Sequence, residues 1–118
     1  MKTRILDVAE IIGADVESQT GDTLGTIETI MLDQDHGEVA YVVLSYGGFL
    51  GLGDKLFAMP WDIFRYNAAD ECFVVNVSKE ALKSSPGFDK DHWPDMSDPT
   101  WETTIHNYYG TKPHVSHL

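Results

Sequence analysis

The sequence is poor in cysteine, in basic residues and in long apolar runs. With Cys72 alone no intrachain disulfide can form, which fits a reducing compartment. Cys72 stands in a strand-like run and reads as a small buried hydrophobe rather than a reactive thiol. Eight Lys and Arg face nineteen Asp and Glu, for a formal net charge of −11. That balance supplies no basic stripe for phosphates, so nucleic acid is not an expected partner, and anionic membrane surfaces are disfavoured. No stretch nears the roughly 20 apolar residues of a membrane span, so no membrane insertion is expected. In the opening MKTRILDVAEIIG, Asp7 and Glu10 interrupt any apolar signal core. A cytoplasmic protein without a signal peptide is the expectation.

What is present suffices for one domain: 118 residues, of which 42% are hydrophobic. Val39–Tyr46 is apolar on both faces, with Val39, Tyr41 and Val43 on one and Ala40, Val42 and Leu44 on the other. A strand of that kind is covered on both sides. The loop Gly47–Gly53 follows, carrying Phe49, Leu50 and Leu52 where polar residues would be usual. Lys55–Met59 is a short strand ended by Pro60. Upstream, Asp7 caps a short helix with Glu10 three residues on and Gly13 at its end, and Ile5, Val8, Ile11 and Ile12 form a stripe to plug the core. Ala14–Ser18 and Leu24–Asp33 read as strands joined by a turn at 19–22, and Glu28-Thr29 breaks the alternation as a bulge would. Asp35-His36-Gly37 turns the second into Val39–Tyr46 as a hairpin. Cys72–Val77 is a further strand with Phe73, Val75 and Val77 inward, and Ser78 caps a helix over Lys79–Ser85. Short strands at regular spacing favour a small barrel or sandwich.

Composition shifts after Ser85, dividing a barrel domain over 5–85 from a C-terminal extension over 86–118. Asp98 as N-cap, Pro99 at the first helical position and Gly110 at the end bound a helix over about 98–109. Trp101, Ile105 and Tyr108 recur at helical spacing and must pack on the barrel or on a partner. With Trp93 and Tyr109 they offer either a packed tail or an interface across a dimer.

No arrangement of residues spells out a reaction. The glycine loop lacks the spacing of a phosphate cradle. Asp33-x-Asp35-x-Gly37 starts like a calcium loop but has Leu44 where the bidentate Glu belongs. His92, His106, His114 and His117 lie in the tail and could hold a transition metal only if they converged with an acid. No Ser/His/Asp or Cys/His set stands out, and neither catalysis nor a cofactor is expected.

Taken together, Ile12-Gly13-Ala14-Asp15-Val16, Gly21 to Gly25, the hairpin around Gly37, the loop GGFLGLG at 47–53 and Pro60-Trp61 resemble the PRC-barrel domain. Pro86-Gly87-Phe88, Trp93-Pro94 and Tyr108-Tyr109-Gly110 resemble the tail of small stand-alone bacterial members. The resemblance implies a mainly β fold, a small, strongly bent antiparallel barrel with short helices and a C-terminal helical extension. It implies docking and assembly rather than catalysis. The function expected is a non-enzymatic interaction module that binds another protein and self-associates as a homodimer. Phe49, Leu50, Leu52, Trp93, Trp101, Tyr108 and Tyr109 form the candidate surface. The alternative is a small-ligand or metal-binding protein using the His/Asp-rich tail.

Overall fold

The computed structural model describes residues 5–46 and 55–112. Its elements run α1 (Val8–Ile11), β1 (Asp15–Ser18), β2 (Thr23–Asp33), β3 (Glu38–Tyr46), β4 (Lys55–Met59), a 3-10 turn (Trp61–Ile63), β5 (Phe64–Asn67), β6 (Cys72–Val75), α2 (Lys79–Ser84), β7 (Gly87–Asp89) and α3 (Pro99–Tyr109). The fold is mainly β, built on one seven-stranded sheet of order β5-β6-β1-β2-β3-β4-β7. Among the described residues β5 and β7 are its edges.

Strands β1 to β4 form an antiparallel meander. The expectation of an antiparallel sheet fails at one ladder, where β6 pairs parallel to β1 through Val16–Phe73, Glu17–Val74 and Ser18–Val75. The reason is topological. Four strands, β2 to β5, separate β1 from β6, which is chain enough to bring β6 back along the free edge of β1 in the same direction. Strands β5 and β7, four and three residues of mixed pattern, are not evident from alternation.

The register of the meander carries three irregularities. Glu28 is an extra residue on β2 between the Ile27–Leu44 and Thr29–Val43 pairs, where the broken alternation places a bulge. A second irregularity, between Met31–Tyr41 and Leu32–Val39, inserts Ala40 on β3. It corrects the face assignment of β3: Val39 packs with Val42 and Leu44, whereas Ala40 packs with Tyr41 and Val43. A third shift leaves Leu24 extra on β2, beside Gly25. Gly25 has φ of 152°, and a Cβ there would lie 2.2 Å from the carbonyl oxygen of Ser45, so no other residue fits between β1 and β3.

Two apolar layers flank the sheet. The larger joins Ile11, Val16, Leu24, Ile27, Val42, Leu44, Phe57, Met59, Phe64, Phe73, Val75 and Leu82. The second joins Tyr41, Val43, Leu56, Ala58 and Phe88 to Ile105 of α3. β3 feeds both, as a strand apolar on each side must. Cys72 is buried, and burial first, then the charges of Glu17, Asp70 and Asp15, pushes its thiol above its ordinary pKa.

The caps match the sequence: Asp7 accepts from the Ala9 amide, Ser78 from Ala81 and Asp98 from Thr100. The apolar stripe of α1 does not plug the core. Only Ile11 is buried, while Ile5, Val8 and Ile12 are exposed, because four helical residues turn a single side chain inward. Val77 lies past the end of β6 and only edges the larger layer.

Candidate functional site

The aromatics of the tail divide between packing and surface. α3 lies over the sheet of its own chain, Ile105 fully buried in the second layer and Trp101 and Tyr109 packed beside it. The face it buries runs through Trp101, Ile105 and Tyr109 rather than through Tyr108. Trp101 meets Phe88 edge-on with ring centroids 6.1 Å apart. Burial pushes the Tyr109 hydroxyl up to about 12, a rise that contact with Ser85 partly offsets and neighbouring Tyr108 reinforces. Tyr108 is exposed and donates its hydroxyl hydrogen to the carbonyl of Ala81, tying α3 to α2. Trp93 is half exposed; its Nε1 donates to the Lys90 carbonyl at 2.8 Å and its ring rests on Phe88. Phe49, Leu50 and Leu52 lie outside the described residues, as do His114 and His117.

The described histidines do not converge. His106 is buried, with Nδ1 2.7 Å from the Thr111 hydroxyl and its ring beside Tyr41. His36 belongs to the β2–β3 turn, and His92 is exposed on the loop after β7. Among the described residues no group of three His, Cys, Asp or Glu is placed to hold a metal ion.

A cleft of about 440 Å³ opens between the β2–β3 turn and the start of α3. Met31, Leu32, Ala40 and Met96 give it apolar walls, and Leu32 stands 72% exposed at its rim. The turn supplies Asp33, Asp35 and His36, and α3 supplies Glu102. Asp33 organises the turn: its carboxylate accepts from the amides of Asp35 and His36 and lies 2.9 Å from Nδ1 of His36. The hydrogen bond from His36 draws the Asp33 carboxyl below the usual carboxylate range.

Tyr41 also lines the cleft. It is 1% exposed, and its buried hydroxyl has no hydrogen-bond partner among the described residues. Burial, then the negative charges of Glu102 and Asp98, raises the pKa of that hydroxyl well above its ordinary value. Sequence reasoning missed this residue, which reads as plain core in a strand apolar on both faces. The available signal was its phenolic tip, since a buried hydroxyl needs a partner and the residues flanking Tyr41 are apolar.

The bulged meander, the β2–β3 hairpin and the Pro60-Trp61 turn coincide with a sequence pattern that extends over most of the chain. The family model of the PRC-barrel domain matches residues 4–82. The chain belongs to the PRC-barrel family. No curated protein sequence matches it. The PRC-barrel match takes in β1 to β6 and most of α2, while β7 and α3 lie beyond it. The cleft therefore has one wall from PRC-barrel strands and the other from the helix that follows them.

Proposed function

We propose that this PRC-barrel chain is a non-enzymatic docking module, a cytoplasmic adaptor that binds another protein and self-associates as a homodimer. In this reading the sheet curls into the strongly bent barrel of its family, with 5–85 as the barrel and 86–118 as an extension. The three register shifts and the shared layer holding Phe64 of β5 and Phe57 of β4 support the curl. The observation that carries the docking reading is Leu32, a large apolar side chain 72% exposed beside an apolar-walled cleft. Since Trp101 and Tyr109 are spent on the chain's own sheet, a partner meets what α3 leaves uncovered.

The deciding experiment is affinity capture from the native cell with the wild-type chain and with Leu32→Glu. A specific partner retained by the first and lost by the second, with unchanged thermal melts, is the expected result. Equal capture by both would remove the cleft rim from the interface. Light scattering of the same samples at two concentrations reads the homodimer, and a monomer at high micromolar concentration would end that part of the proposal.

A further inference from the structure

We propose that the cleft between the β2–β3 turn and the start of α3 receives an arginine or lysine side chain from a basic segment of the partner protein. This rests on the docking reading and names the chemistry of the partner.

Three observations converge on it. The walls carry Asp33, Asp35 and Glu102, Asp98 acts on the same site through Tyr41, and among the described lining residues there is no lysine or arginine. Such a pocket favours a cation, and the chain's charge of −11 steers basic segments toward it. The second observation is Tyr41. A buried hydroxyl without a partner costs stability unless something comes to satisfy it. Burial and the nearby carboxylates keep it protonated and neutral, so its oxygen can accept a hydrogen bond from a guanidinium or ammonium N–H. The third is the apolar lining. Met31, Met96 and Ala40 suit the methylene stem of a long cationic side chain, and methionines adjust to its shape. A volume of about 440 Å³ lies toward the lower end of the roughly 300–1,000 Å³ typical of ligand pockets.

A bare metal ion fits less well, because the described acids do not group closely enough to hold one. His36 faces the same cleft and pairs with Asp33, and Asp35 and Glu102 are the other acids of its lining.

The test is fluorescence anisotropy with a short labelled peptide of alternating arginine and serine, on the wild-type chain and the variants Glu102→Gln, Tyr41→Phe and Glu80→Gln. Glu80 is exposed on α2 and does not line the cleft, so its variant removes the same charge elsewhere. Glu102→Gln should weaken binding about tenfold and Tyr41→Phe about threefold to tenfold, while Glu80→Gln should change it by less than about twofold. Tyr41→Phe removes an unsatisfied hydroxyl and should keep the fold, which a melt confirms. Absence of binding, or equal loss in all three variants, would overturn the proposal, the latter by showing mere attraction to an acidic surface. Spermidine competing as well as the peptide would overturn the peptide as occupant in favour of a free polyamine. The two readings fail separately. If Leu32→Glu abolishes native capture but no basic peptide binds, docking stands and the cationic occupant falls. If the peptide binds the cleft and native capture ignores Leu32, the docking surface lies elsewhere and the partner-borne cation falls with it.

Discussion

At the scale of single residues, two tyrosines make folding sensitive to alkali. Tyr109 ionises at about 12 in the folded chain, against 10 for the free side chain, because burial disfavours the phenolate. Tyr41 is shifted in the same direction by the same cause. Below the unfolded value both groups are protonated in both states, and their contribution is fully present. As pH rises toward the folded value, the unfolded chain releases protons that the folded chain retains, so stability falls across that window. The urea midpoint should therefore hold steady to about pH 9 and drop by about pH 11, with a smaller drop in Tyr109→Phe. A midpoint with the same alkaline drop in Tyr109→Phe as in the wild type would count against a buried Tyr109. The same residue scale shows what a sequence conceals. Gly25 belongs to a recognisable glycine pattern, but the reason for it, a carbonyl of β3 lying where a Cβ would go, appears only once β2 and β3 are paired.

At the scale of elements, α3 is the case to test. Asp98, Pro99 and Gly110 state its ends in the sequence, and the structure places them there. Which surface it covers was not legible, since a stripe of Trp101, Ile105 and Tyr108 suits a barrel and a second copy equally well. The register of the helix decides it by turning Tyr109, in place of Tyr108, toward the buried layers of the chain's own sheet. Ile105→Ala should cost about 2–5 kcal/mol, as cavities left by large apolar side chains do, and the loss should not vary with protein concentration. A loss that changes with concentration would mean that the helix is exchanged between copies. Among strands, the long ones were legible from apolar pattern and turn residues. β5 and β7 were not, because four and three residues are too few to show a period. The cleft was legible only in pieces. Asp33, Asp35 and His36 were visible as a turn, yet Glu102 lies far along the chain and joins them only through the packing of α3.

At the scale of the whole molecule, the parallel ladder has a mechanical meaning. Hairpin β5–β6 is held to the rest of the sheet by backbone hydrogen bonds along a single short strand, Val16 to Ser18 of β1. β2 and β3, by contrast, are paired over most of their length. Releasing three residues frees the hairpin from the ladder, whereas freeing β3 means breaking the long pairings on both its sides. In deuterium exchange the amides of β5 and β6 should therefore open together as one unit, ahead of those of β2 and β3. Uniform protection across all seven strands would contradict this. The sheet is continuous in its hydrogen bonding but divides, at β1, into a hairpin tied on by three ladder residues and the shared apolar layer, and a meander paired along long strands.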